Sequence, residues 1–199
     1  MQRTPATDEQ ISELLLQAIE TERGGILVFA AAIEAALDEN VRTESRRCLE
    51  AACWRKEVLT ATCRQRGVDP DQSSPAREIL ALHRASLVRA IMMAVANGDP
   101  EAAQVVAAEC VLLADMKKHL DWDLVRDAVS QAGMQFCSGP EARQEMDDGC
   151  CPLDCTRGWC REQWMSSLDF PAVVPSPREQ AERAGVAGTP STRVSRTSE

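Results

Sequence analysis

Four runs of apolar residues at three- and four-residue steps, separated by short clusters of Gly, Pro, Asn and Asp, fill residues 8 to about 132 of this 199-residue chain. A stripe of that period is one face of an amphipathic helix. Long helices joined by short turns must bury their stripes against one another, and an antiparallel arrangement satisfies this at least cost. The expected fold is all-α: an antiparallel four-helix bundle, with a short C-terminal helix and an extended tail.

The first run opens at Thr7 and Gln10, which read as a capping box, and presents Ile11, Leu15, Ala18, Glu22, Ile26, Phe29, Ile33 and Leu37 as far as about Glu39. Asn40 breaks it. The second, from about Val41 to Arg66, turns Cys48, Leu49, Ala52, Leu59 and Cys63 to one side and ends at Gly67, a natural residue for the position after a helix. Residues 67 to 74 read as a loop, and Pro75 suits the first position of a third helix that runs to Ala96 and presents Leu80, Leu87, Ile91 and Val95. Asn97, Gly98, Asp99 and Pro100 close it and open the fourth, with Asp99 as cap. That last helix carries Val105, Glu109, Leu112, Met116 and His119 on one stripe, with Val106, Cys110, Leu113 and Leu120 beside it.

The pattern divides the chain into a flexible N-terminus (1–7), the bundle (8–133), a Cys-rich segment with a short helix docking on the bundle (134–177), and a disordered tail (178–199). The short helix is expected around Arg161 to Leu168, with Trp159, Trp164 and Leu168 facing the bundle.

A net charge of -9 repels phosphate backbones and anionic lipid surfaces, so neither nucleic acid nor membrane is an expected partner. No stretch of 18 to 20 uninterrupted apolar residues is seen, and a cytoplasmic location is expected. A homodimer through the bundle is the partner left open. In that compartment the nine cysteines read as reduced thiols.

An ionisable carboxylate in mid-stripe needs a partner, because burying it alone costs several kcal/mol. Glu22 is in that position in the first helix, and Glu109, Asp115 and His119 fall on or beside the stripe of the fourth. Oxygen and imidazole donors of this kind could converge on one iron or manganese ion. The bland readings stand beside this one: Glu22 as a rim residue, His119 as a surface imidazole bonded to Asp115 or Asp123, and His83 as an exposed helix residue. The cluster Cys150, Cys151, Cys155 and Cys160 supplies four thiolates, enough for a zinc ion, but the spacing contains no Cys-x-x-Cys pair.

The stretches Glu20-Thr-Glu-Arg-Gly-Gly25, Ala108 to Trp122, Gly158 to Trp164 and Leu168 to Pro175 resemble the ferritin-like superfamily over most of residues 8 to 177. The resemblance implies a di-metal carboxylate site, with a Glu from each of two helices and a Glu-x-x-His pair from each of the other two. This chain departs from that pattern. Its two histidines lack an acid three residues earlier, and the second helix offers Arg55 where a ligand would stand. Arg55 or Lys56 would then replace the metal's charge by pairing with Glu22 or Glu109, since a guanidinium fork matches a carboxylate. Two functions are compatible with this. One is a binding or scaffold protein whose di-metal site is partial or lost. The other is an iron or manganese oxidoreductase or peroxide-handling protein using Glu22, Glu109, Asp115 and His119.

Overall fold

The structure, a computed structural model, describes residues 8–131 and 153–168. These form helices α1 (Asp8–Ala35), α2 (Glu39–Gln65), α3 (Pro75–Ala96), α4 (Pro100–Gln131) and α5 (Leu153–Ser167), with no strand among the described residues. The N-terminal segment 1–7 and the tail 178–199 lie outside the described residues.

The turn chemistry explains the helix ends. Val68 N–H reaches Cys63 O at 2.9 Å and Gly67 N–H reaches Arg64 O at 3.0 Å, closing α2 with Gly67 at φ 72°. A residue with a Cβ is strained in that left-handed conformation. Ser74 caps α3 through Arg77 N–H at 3.3 Å, and Asp99 caps α4 through the N–H groups of Glu101 and Ala102.

Two boundaries differ from the sequence expectation. α1 stops at Ala35, and the break falls at residues 36–38 instead of at Asn40. The Asp38 carboxylate accepts the Asn40 N–H at 2.7 Å, so it starts α2 early. Gln104 of α4 accepts the Leu37 and Asp38 N–H groups at 2.7 and 3.1 Å. Leu37, expected in the stripe, is therefore exposed. The short C-terminal helix also begins earlier than expected, at Leu153, and packs against α4.

α1 is the central element: α2, α3 and α4 all pack on it, and α3 also packs on α4. Its first turns meet the last turns of α2, with Asp8 pairing Arg66 at 2.7 Å. Its first half also meets the start of α3, where Ser74 donates to Glu13 at 2.9 Å. The connection 67–74 therefore stays at one end of the molecule. It does not cross the length of the helices as the connection in ferritin-like folds does.

Two apolar clusters hold the helices together. Ile11, Leu15 and Ile19 pack with Leu59, Cys63, Trp122 and Val125 at one end. Val28, Phe29 and Ala32 pack with Ala52, Leu87, Ile91 and Val111 at the other. Each large aliphatic side chain buried this way contributes about 1.5–3 kcal/mol. Between the clusters lies a polar layer, Glu20 to Glu22.

α3 is long and apolar enough, by length and composition, to cross a membrane. The sequence expectation counted uninterrupted apolar residues, and Arg84 and Arg89 interrupt that count. In the fold α3 lies along α1 and α4.

Candidate functional site

Three successive residues of a helix point in directions 100° apart, and Glu20, Thr21 and Glu22 use this to reach three different neighbours. Glu20, buried, accepts from Arg84 at 2.6 Å and from Arg77 at 3.3 Å, both on α3. Thr21 donates to Asp121 of α4 at 2.5 Å, and Lys117 pairs with the same carboxylate. Glu22 accepts at Oε1 from Arg55 Nε of α2 at 2.8 Å and from Trp122 Nε1 of α4 at 2.6 Å. The Glu22 and Arg55 side chains are 1% and 3% exposed. This is an ion pair inside the protein, and its second carboxylate oxygen, Oε2, accepts no hydrogen bond among the described residues.

Gly24 adjoins the same belt: a Cβ there would stand 3.4 Å from Arg84 Cβ, in contact with the arginine stem that runs to Glu20.

A second cluster surrounds Asp115 of α4, which is 2% exposed. It accepts from Lys118 one turn on, and from Thr156 of α5 at 2.9 Å. His119 Nε2 lies 3.5 Å from Asp115 Oδ2. Burial pushes the Asp115 carboxyl up, but His119 and Lys118 together outweigh it and hold the group below the ordinary aspartate value.

The structure separates the candidate metal donors. Asp115 and His119 share one cluster. Glu22 belongs to the ion pair with Arg55. Glu109, expected on the inward stripe, is exposed and accepts from Trp164 Nε1 of α5 at 2.8 Å. The inward line of α4 runs instead through Ala108, Val111, Asp115, Trp122 and Val125. Leu113, Leu120 and Leu124 make the outer face equally apolar, so periodicity alone could not choose between the two sides. Met116 is exposed for the same reason. No three His, Cys, Asp or Glu side chains converge as metal ligands among the described residues. The donor set that the ferritin-like resemblance implies for a metal does not fit this interior, where a guanidinium already neutralises Glu22.

Of the C-terminal thiols, Cys150 and Cys151 lie outside the described residues, and Cys155 is placed only as a backbone position in α5. Cys160 is buried, and that burial pushes its thiol up to about 11. Burial does the same to Cys48, also to about 11, and raises the Cys110 thiol. The thiolate is the reactive form, so iodoacetamide at pH 7.5 is expected to leave Cys48 and Cys160 unmodified in the folded protein and to label both after denaturation. Peptide mass spectrometry reads the result; rapid native labelling of either would show that it is more open than described.

Several of the groups that build these clusters were not singled out from sequence: Glu20, Arg77, Arg84, Lys118, Asp121 and Thr156. Trp122 was noted only as part of a motif. The motif Glu20 to Gly25 carried a signal for Glu20, since two glutamates flanking one threonine cannot both face solvent on a central helix. His83 is exposed, as its position in the third run implied.

No family model, no curated protein and no solved structure matches the chain.

Proposed function

We propose that this chain is a helical-bundle protein that acts by binding, as a scaffold; its resemblance to the ferritin-like superfamily then lies in the helix motifs and not in the connection 67–74, and an internal ion pair stands where such a bundle would hold a di-metal carboxylate site. The observation that carries the reading is Arg55 Nε at 2.8 Å from the buried Glu22 carboxylate, with the Trp122 indole N–H on the same oxygen. A guanidinium there supplies positive charge where a cation would otherwise be needed, and it repels a cation that approaches. The contacts of α1 with the far end of α2 and the near end of α3 support an up-down-up-down antiparallel bundle as its frame. An iron or manganese oxidoreductase would need Glu22, Glu109, Asp115 and His119 around one ion, and Glu109 stands at the surface beside Trp164.

The test is elemental analysis of untagged protein, comparing wild type with Glu22→Ala and His119→Ala. Iron and manganese are expected far below one per chain in all three. One or two iron or manganese ions per chain in wild type, lost in both variants, would overturn the scaffold reading and place a working site in the bundle. Zinc retained by all three would assign metal to the segment 150–160.

A further inference from the structure

We propose that the outer face of the α3 and α4 pair is the interface of a homodimer, a second copy of this chain covering it about a two-fold axis. The inference does not depend on the loss of the metal site; it concerns a surface on the opposite side of these helices from the polar belt.

On α3 the side chains opposite the core are Ile79, Leu82 and Met93, which are 66%, 70% and 59% exposed. On α4 they are Leu113, Leu120 and Leu124, at 48%, 54% and 46%. The steps between them, 3 and 11 on α3 and 7 and 4 on α4, keep each set on one helix face. The two helices are packed neighbours, with His83 and Leu87 of α3 lining the same cleft as Ala114 and Lys117 of α4. Their outward faces therefore adjoin.

Area separates this face from an ordinary surface. A half-exposed Leu, Ile or Met presents on the order of 100 Å² of apolar area, and Met116 adds to the six side chains above. The total, about 700 Å², approaches what each partner contributes to a standard interface. It exceeds the roughly 300–600 Å² of the largest apolar patch on a typical monomer. Methionine is enriched, as in interface cores, and the charge within the α3 part of the face is Arg89, exposed between Leu82 and Met93. Glu109, Asp123 and Asp127 form an exposed charged rim on α4.

A second copy is favoured over a bilayer for two reasons. The rim acids and a net charge of -9 oppose an anionic lipid surface. Arg84 of α3 is tied to Glu20 of α1, which holds α3 in the bundle. An isologous pairing needs only that the face be complementary to itself, and two adjacent helices with ridges of Leu, Ile and Met can interdigitate with their own copy.

The experiment is sedimentation velocity on the full-length chain across a hundredfold concentration range, with circular dichroism to follow the fold. Wild type is expected at twice the chain mass. Leu82→Glu combined with Leu120→Glu places charges at positions already exposed, so helicity should be unchanged while dimerisation weakens by at least about 100-fold. Leu27→Glu, at an exposed apolar position of α1 away from this face, is the control and should remain dimeric. A monomeric wild type, or a dimer insensitive to the paired charges, overturns the proposal. So does wild-type protein that is monomeric in solution and floats with phosphatidylcholine vesicles, which would assign the face to lipid.

Discussion

Replacing Arg55 with Met is expected to destabilise the folded chain by about 3–5 kcal/mol, the cost of leaving a buried carboxylate without its countercharge. Glu22 and Arg55 are enclosed between the two apolar clusters, so solvent cannot substitute for the lost guanidinium. Replacing both, Glu22→Met with Arg55→Met, should restore most of the loss, because a buried pair exchanged for packed apolar groups of similar volume is often neutral or stabilising. Urea unfolding followed by circular dichroism at 222 nm measures both, and the double-mutant cycle isolates the pairwise term. A single-variant loss below about 1 kcal/mol would be the behaviour of a solvated pair and would remove the ion pair from the account of the site. The Trp122 indole N–H, bonded to the same oxygen, is the reason Trp122 belongs in this experiment. Trp122→Phe keeps most of the apolar volume while deleting a donor.

Asp115→Ala is the second large effect expected, again about 3–5 kcal/mol, because it strands the buried Lys118 amine and removes the acceptor of Thr156. It should also loosen α5 selectively, and trypsin cleavage within residues 157–161 should accelerate relative to cleavage in α1. The pH dependence has a definite sign. The Asp115 carboxyl is held below its ordinary value, against the push of burial, by His119 and Lys118. Its contribution is therefore complete above the unfolded value of about 3.9 and is lost as pH falls through the lower folded value. Between pH 4 and pH 2 wild type should lose more stability than Asp115→Asn. Parallel curves for the two would mean that the Asp115 charge does not stabilise the fold. Thr156→Val, which deletes only the hydroxyl, should cost about 1 kcal/mol and so separates the bond to α5 from the bond to Lys118.

The two expected effects concern different parts of one design. The belt at Glu20 to Glu22 ties α1 to its three neighbours, and Asp115 ties α4 to α5. Both place polar groups where an apolar core would fold as well. In this protein such pairs are expected to select the packing: each carboxylate is satisfied in one helix register, and a shift of one residue would strand it.

Much of this was legible before any tertiary information. The turns at Gly67, Ser74-Pro75 and Asn97 to Pro100 carry their own chemistry, namely a left-handed glycine, a hydroxyl cap and a proline at the first helical position. They fall where local rules put them. The exception, the break at residues 36–38, was displaced because Gln104, distant in sequence, accepts the Leu37 and Asp38 N–H groups. Local rules have no access to such a partner. Arg55 or Lys56 was expected as a partner for Glu22 or Glu109; the Arg55 guanidinium stands against Glu22, while Lys56 pairs with Glu57 at 3.0 Å.

The sequence by itself determined a helical fold class, the positions of most of its turns, and that a carboxylate at Glu22, once turned inward, needs a partner. Period and capping are local, and the cost of burying a carboxylate alone is independent of the fold. Only the tertiary structure decided which side of α4 faces inward, because that helix is apolar on opposite sides and only packing against α1 selects Val111, Asp115 and Trp122 over Leu113 and Leu120. It alone decided that Glu109 meets Trp164 at the surface while Glu22 meets Arg55 inside, since the rotation of one helix about its axis places every polar group on it at once.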